Sequence, residues 1–298
     1  MPAPSPKNDT ATRAVNPRRT IKVSWRSLNW QLMFITILPV TALVLLVAVG
    51  SLSVHQNAMR NMVGERDILA VSTVATAIEE QITHRMYSIE SLAALAEEVE
   101  PEQFDEILRQ PGYLTSKFDA GLAIFSLQGE LVAASVDTPL WATFSARLPE
   151  LVKNQANHNP TTQALLQVEE PLEDGRQLIS VYSFSPSRQW VVAGAVSISR
   201  IVDRMLAQAF SSEYSTSIIL VDAEGGLLYQ HGAPSYRVDT NLHPGVQAAL
   251  SGNSGVLYTQ DQKDELVVAY SPVGSQGWAL VFQEAWESVE SPTLRISQ

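Results

Sequence analysis

The stretch that decides the fold is LISVYSFSPSRQW, residues 178–190, because residues 266–278 nearly repeat it as LVVAYSPVGSQGW. Without a gap, Leu178 matches Leu266, Tyr182 matches Tyr270 and Trp190 matches Trp278. Each copy reads as two strands joined by a turn, since β-branched and aromatic residues flank a run of Ser, Pro and Gly. A repeat at a fixed offset indicates that one supersecondary unit occurs twice in the chain.

Both copies follow a hairpin and an insert. The hairpins are LAIFSLQGELVAAS, residues 122–135, and SIILVDAEGGLLYQHG, residues 217–232, which align glycine on glycine at the turn. We predict strands near 164–168, 177–184 and 190–197 in the first unit and near 255–260, 265–271 and 278–283 in the second. The fold class is therefore α+β, with two tandem PAS-like modules that each carry a five-stranded antiparallel sheet.

A membrane-spanning helix is predicted before the modules, over residues 27–53. The core from Leu32 to Gly50 is apolar and His55 is the only ionisable residue between Ser27 and Ala58, and about 20 apolar residues suffice to span a bilayer. A cleaved signal peptide, cut near Ala48-Val49-Gly50, is the alternative. The apolar stretch is longer than a usual signal core, which favours an uncleaved anchor.

Basic residues precede this span. Six Lys or Arg stand before Ser27 against Asp9 alone, so the N-terminus is expected on the cytoplasmic side and the modules outside the cytoplasmic membrane. The remainder carries 14 basic and 30 acidic residues. A body this acidic repels phosphate backbones, which excludes nucleic acid as an expected partner. The chain has no cysteine, so thiolate metal sites and disulfides are excluded.

The predicted organisation has seven segments. They are a disordered cytoplasmic tail (1–26), the transmembrane helix (27–53), a stalk helix (54–100), a membrane-distal module (101–198), a connecting helix (199–214), a membrane-proximal module (215–290) and a lead-in (291–298). The stalk has apolar residues at spacings of three and four from Val71 to Ala96, which predicts one buried stripe. A second copy of the chain is a candidate partner for this helix.

The second unit resembles double Cache domains, the extracytoplasmic sensor regions of bacterial transmembrane receptors. The similarity rests on VDAEGGLLYQHG (221–232), HPGVQAALSGNSGVLY (243–258) and ELVVAYSPVGSQGWALVFQ (265–283) and extends over about residues 54–290. The resemblance implies an input region that senses a small molecule for a histidine kinase, diguanylate cyclase or chemoreceptor. It also implies a second transmembrane helix and an output domain, so residues 291–298 are expected to lead into segments beyond residue 298.

The resemblance places the ligand in the distal module, where we single out six candidate residues. Trp141 and Arg147 stand in the insert, and a guanidinium beside an indole suits a carboxylate ligand. The alternative is an interfacial Trp and a solvated Arg. The other candidates are Tyr182, Tyr113, Phe118 and Ser197. Packing is the competing role for the aromatic residues.

The amino-acid-binding branch of that family carries an Arg-x-Trp-Tyr motif, a Tyr-x-Asp and an Asp on the last strand. This chain has no Arg-x-Trp-Tyr, reads Leu172-Glu173-Asp174 at the second position and has Ser197 at the third. From this departure we expect an unknown small molecule that is not a free amino acid. The alternative function is a membrane-anchored module that binds a partner protein and no metabolite.

Neither enzyme chemistry nor a cofactor is expected. The chain lacks a Gly-x-Ser-x-Gly elbow, a His-Glu-x-x-His motif and a phosphate-binding glycine loop. Carboxylate pairs such as Glu169-Glu170 are predicted to be solvated, where they do not serve as catalytic acids. His231 and His243 are predicted to lie in surface loops and not to bind metal.

Overall fold

A computed structural model describes residues 28–109, 116–156, 163–172, 174–209, 216–232, 243–261 and 264–286. The chain divides into two compact units, Met1–Met59 and Arg60–Gln298. The predicted tail (1–26), the lead-in (291–298) and Tyr113 lie outside the described residues.

The first helix, α1, spans Leu28–Glu98. Within Met1–Met59 its described apolar side chains up to Ala58 are exposed. Among the described residues it is the one helix long and apolar enough to cross a membrane, and its most apolar 18-residue stretch has a mean hydropathy of 2.5. Pro39 lies inside this part of the helix.

The compact unit Arg60–Gln298 begins with the remainder of α1, Arg60 to Glu98, which we call the stalk. Its predicted apolar stripe is buried, because residues three and four apart share one face of a helix. The buried members include Val71, Val74, Ala75, Ile78, Ile82, Ile89, Leu92, Ala93 and Ala96. A 3₁₀ turn at Pro101–Gln103 follows and leads into helix α2, Phe104–Arg109.

The first module contains five strands and one long helix. In chain order these are β1 (Gly121–Ser126), β2 (Leu131–Ala134), α3 (Pro139–Ala156), β3 (Leu165–Val168), β4 (Leu178–Phe184) and β5 (Trp190–Ser197). The strands form an antiparallel sheet in the order β2-β1-β5-β4-β3. Because side chains alternate along a strand, one face packs on the stalk and the other carries α3.

Helix α4, Ile198–Ala209, connects the first module to the second. The second module contains β6 (Thr216–Val221), β7 (Leu227–His231), α5 (Pro244–Leu250), β8 (Gly255–Asp261), β9 (Asp264–Val273) and β10 (Trp278–Ala285). Its sheet has the order β7-β6-β10-β9-β8. This is the same order as in the first sheet, with β6 to β10 in the places of β1 to β5. The predicted tandem arrangement of two five-stranded antiparallel sheets is confirmed.

Candidate functional site

The face of the first sheet that carries α3 combines small strand residues with large helix residues. The central strand β5 presents Ala193 and Ala195 to this face, and β1 presents Ala123. Above them lie aromatic side chains, of which Trp141 and Phe144 come from α3. Because alanine side chains occupy little space above the sheet, the large rings of α3 can approach the strands closely.

The aromatic residues on this face contact one another edge to face. The ring centroids of Trp141 and Phe144 lie 6.4 Å apart, and those of Phe144 and Tyr182 lie 5.6 Å apart. Trp141 is fully buried and its indole N–H donates to the carbonyl of Val136 at 3.1 Å. Trp141 is thus a core residue of the module rather than an interfacial one.

A polar cluster lies at the β3–β4 edge of this face. Arg147, on α3, forms an ion pair with Glu169, which follows β3 directly. The Ser180 hydroxyl donates to the same carboxylate from β4. The Glu169 side chain is 2% exposed, whereas that of Arg147 is 33% exposed. In the Arg147–Glu169 cluster, therefore, Arg147 reaches solvent and Glu169 does not.

Two buried polar atoms near this cluster lack a hydrogen-bond partner among the described residues. They are Nε of Arg147 and Oε1 of Gln167. Gln167 is paired with Ser180 across the β3–β4 ladder, and both point to the α3 face. The cluster thus keeps one unused hydrogen-bond donor and one unused acceptor. A buried polar atom without a partner costs free energy, so a ligand that pairs with these atoms would be stabilised.

Tyr182 lies close enough to the cluster to respond to its charges. Burial raises the pKa of the Tyr182 hydroxyl above its ordinary value, while the positive charge of Arg147 opposes this shift and the negative charge of Glu169 adds to it. The hydroxyl therefore stays protonated at neutral pH and is available as a donor. Tyr182 also packs against Phe184, at 6.2 Å between ring centroids, so it has a packing role as well.

The predicted solvation of Glu169 is wrong. Its backbone N–H donates to the carbonyl of Leu178 at 3.0 Å, which continues the β3–β4 ladder beyond the last residue of β3. Residues two apart in a strand share a face, so Glu169 points to the same side as Gln167. Its neighbour Glu170 is exposed. The alternation of apolar and polar residues along Leu166–Glu169 predicts the opposite, that Gln167 and Glu169 are exposed, so the sequence held no signal for this burial.

Ser197 does not stand alone at the end of β5. Its N–H donates to Asp119 at 2.9 Å and its hydroxyl donates to the same carboxylate at 2.5 Å. A carboxylate is therefore present at this position, although the residue of β5 itself is Ser197 and not Asp. The segment before β1 supplies the carboxylate that β5 itself lacks.

Phe118 is not brought together with Trp141 and Arg147. It lies on the stalk face of the sheet, where it packs with Ile89 over Gly194. A Cβ at Gly194 would lie 2.6 Å from the Phe118 ring, so the glycine permits this close packing. Phe118 is a core residue, and it also lines a cavity together with Asp119 and Arg200.

The second module has its own buried polar residue on the face that carries α5. His243 is buried and not in a surface loop as predicted; it caps α5 by accepting the N–H of Val246 on Nδ1. Burial lowers the pKa of its imidazole. Its Nε2 contacts Gln283 on β10. Among the described residues no group of three His, Cys, Asp or Glu side chains could hold a metal ion.

No protein-family model and no curated protein sequence matches the chain. Solved structures do share its fold. The ligand-binding domain of the Pseudomonas aeruginosa PAO1 amino acid chemoreceptor PctB, in complex with L-Arg, is 18% identical with a TM-score of 0.53 and covers 74% of this chain and 94% of its own. The extracellular domain of the putative histidine kinase rpHK1S-Z16 is 20% identical with a TM-score of 0.54, covering 80% and 98%.

The domain of a third protein, the chemoreceptor PctC of Pseudomonas aeruginosa PAO1 in complex with GABA, is 16% identical with a TM-score of 0.51 and covers 72% and 96%. These neighbours are double Cache-type sensor domains, so the fold predicted from the resemblance is confirmed. The exclusion of a free amino acid as ligand is wrong, because solved domains of this fold are in complex with L-Arg and GABA.

Proposed function

We propose that the chain is the extracytoplasmic input region of a membrane signalling receptor and that its first module binds a free amino acid. The fold supports this proposal, because the neighbours with the same two sheets are ligand-binding domains of chemoreceptors and an extracellular domain of a histidine kinase. The apolar part of α1 supplies a membrane anchor. The basic residues before Ser27 favour a cytoplasmic N-terminus and modules outside the cytoplasmic membrane.

The observation that carries the ligand class is the Arg147–Glu169 cluster. An amino acid is a zwitterion, so its site needs a cation for the carboxylate and an anion for the ammonium group. Arg147 and Glu169 supply both charges on one face. A guanidinium binds a carboxylate through two parallel N–H bonds, and the buried Nε of Arg147 has no partner among the described residues.

In the proposed complex, each ligand charge replaces one half of the protein ion pair. The ligand carboxylate binds Arg147, and the ligand ammonium binds Glu169, which Ser180 holds in place by donating to it. Tyr182 lies beside the ion pair, and its protonated hydroxyl donates a further hydrogen bond to the ligand.

Signalling then follows from a shift in population. A ligand that separates Arg147 from Glu169 binds one arrangement of α3 against the sheet better than another. The ligand can change the equilibrium only by its difference in affinity for the two arrangements, typically about 1–3 kcal/mol. Helix α4 begins directly after β5, so a change in the sheet reaches the second module through covalent continuity.

The test is isothermal titration calorimetry on the full chain in a neutral detergent, with the common L-amino acids and GABA as ligands. Each hit is then compared with its N-acetyl derivative, which lacks the ammonium charge, and with its amide, which lacks the carboxylate charge. We expect both derivatives to bind at least about 10-fold more weakly, because each loses a charge-assisted hydrogen bond.

Variants locate the site. Arg147→Gln and Glu169→Gln should each weaken binding by about 10- to 100-fold. The control is Arg176→Gln, which removes an exposed arginine paired only with the neighbouring Asp174 among the described residues. Hits that survive both substitutions would contradict the site. A well-folded chain that binds no amino acid would contradict the ligand class and favour a module that binds a partner protein.

A further inference from the structure

A cavity lies near the β2 edge of the first sheet, whereas the Arg147–Glu169 cluster lies at the β3–β4 edge. It has a volume of about 420 Å³ and is bounded by the end of α2, the residues before β1, the end of β2 and the first turn of α4. Its lining includes apolar Leu108, Phe118 and Val136 and charged Arg109, Asp119 and Arg200. Nothing in the amino-acid site proposed above uses Arg109 or Arg200.

The charge around this cavity is predominantly positive. Arg85, on the stalk, is 5% exposed. Burial lowers its pKa to about 10, the charge of Asp119 opposes that shift, and the charges of Arg204 and Arg200 add to it. Arg85 itself is satisfied, since it donates to the carbonyls of Lys117 and Gln81 at 3.0 and 2.7 Å. It therefore adds fixed positive charge behind the cavity.

Asp119 balances only one of these positive charges. Its two carboxylate oxygens accept the N–H and the hydroxyl of Ser197. Arg109 and Arg200 form no ion pair among the described residues. One carboxylate thus faces several guanidinium groups, in a chain whose formal net charge is −11. A local excess of positive charge of this kind concentrates anions.

The helix dipoles favour the position of one of the two lining arginines and disfavour that of the other. Arg109 is the last residue of α2, where a cation interacts favourably with the helix dipole. Arg200 stands in the first turn of α4, where the same dipole disfavours a cation. An anion placed between Arg200 and the amino end of α4 would reverse this unfavourable interaction.

We propose that this cavity is a second ligand site, which binds a small anion through a carboxylate or phosphate group held between Arg109 and Arg200. Both groups fit the planar fork of a guanidinium, and the apolar lining accommodates a short hydrocarbon portion. The bound anion links α2 to α4, the helix that leads into the second module. The site is distinct from the amino-acid site, because Arg147, Glu169 and Ser180 do not line this cavity.

The experiment is calorimetric titration of the full chain in a neutral detergent with succinate and, separately, with inorganic phosphate, at constant ionic strength. We expect at least one probe to bind with a Kd below about 1 mM. Arg109→Gln and Arg200→Gln should each weaken that binding by about 10-fold or more, and the probe that binds more tightly identifies the preferred group.

Three controls make the result decisive. Arg176→Gln removes an exposed arginine elsewhere in the module and should leave binding unchanged. Arg147→Gln should also leave it unchanged, which separates this site from the amino-acid site. Circular dichroism of each variant checks the fold. Binding of neither probe, equal binding by the Arg109 and Arg200 variants and the unsubstituted chain, or loss of binding in the Arg147 variant would each overturn the proposal.

Discussion

At the scale of single residues, the least expected feature is a pair of buried carboxyl groups where the stalk meets β10. Asp67 is 1% exposed and Glu284 is 2% exposed, and Arg66 donates to both. Burial raises the pKa of Glu284 to about 7, the charge of Asp67 adds to this shift, and the charge of Arg66 opposes it. Burial also raises the pKa of Asp67. One arginine does not compensate two buried anions, so a proton is retained.

This pair predicts that stability falls as pH rises. In the folded chain Glu284 keeps its proton up to about pH 7, whereas in the unfolded chain it loses the proton near its ordinary pKa of 4.5. The folded state therefore binds more protons between these pH values, and stabilisation present below pH 4.5 is lost as pH approaches 7. The loss is on the order of 3 kcal/mol.

Urea unfolding of the unsubstituted chain and Glu284→Gln at pH 5 and pH 8 measures this difference. The variant should be close to the unsubstituted chain at pH 5 and more stable at pH 8, because Gln carries no charge to bury. The lowered pKa of His243 acts in the opposite direction but is common to both proteins. Glu80→Gln, at an exposed stalk position, is the control. An equal difference at both pH values would contradict the prediction.

The sequence indicates some of the site residues and not their partners. Trp141 and Arg147 belong to one insert, so their common position on α3 follows from local spacing. Glu169 lies 22 residues from Arg147, and only the register of β3 against β4 brings it under the helix. Its burial depends on a ladder that extends beyond the strand. A pair of adjacent glutamates gives no local evidence of which one is buried.

At the scale of elements, the two modules contact the stalk in the same way. In the turn between β4 and β5, the N–H of Ser187 donates to Glu97 at 3.0 Å. In the turn between β9 and β10, the N–H of Ser275 donates to Glu79 at 3.2 Å. Ser187 and Ser275 are counterparts in the sequence repeat. The two glutamates are eighteen residues apart on one helix, about 27 Å along its axis.

We predict that each glutamate protects one turn. Glu79→Ala should increase hydrogen exchange at the Ser275 amide and leave the Ser187 amide unchanged, and Glu97→Ala should do the reverse, because each substitution removes one acceptor. Hydrogen exchange followed by mass spectrometry on peptides that cover the two turns measures this local opening. The effect on total stability should be small, since both contacts are exposed.

Glu80→Ala is the matched control, because Glu80 is adjacent to Glu79 but is exposed on another side of the helix. It should change exchange in neither turn. Faster exchange in both turns after a single substitution would mean that the turns open together, and this would contradict separate contacts.

The repeat could be read from the sequence because each hairpin and meander is local. Strand order is different, since β1 pairs with β5, almost seventy residues later, rather than with β3 or β4. Alternation predicts which residues of a strand are buried, but it does not distinguish the possible neighbours of that strand. The position of the modules on the stalk likewise depends on contacts such as Ser275 to Glu79, which no periodicity contains.

At the scale of the whole unit from Arg60 onward, the two modules share a hydrophobic core along the stalk. One continuous cluster joins Ile179 and Val196 of the first module, Val202 of α4, and Leu220 and Leu280 of the second. Stalk residues from Val71 to Ile82 complete it. Because this core belongs to both modules, loss of either sheet exposes apolar surface of the other. A ligand that stabilises the first module therefore stabilises the second by linkage.

The shared core predicts that both modules unfold in one transition. Phe144→Ala removes a fully buried ring beneath α3 of the first module, and Val246→Ala removes two methyl groups beneath α5 of the second. The first should cost about 3–5 kcal/mol and the second less. Differential scanning calorimetry of the full chain in detergent should show one peak for this unit in each variant, displaced to lower temperature as a whole.

Leu69→Ala is the control for this experiment, because Leu69 is an exposed stalk residue and its substitution should leave the peak in place. Separate modules would behave differently. Phe144→Ala would then produce a second peak at lower temperature while the original peak stayed at its position. Val246→Ala would likewise move only the peak of the second module to lower temperature. Either result would show that the core along the stalk does not couple the modules, and that α4 alone would have to carry any change from one sheet to the next.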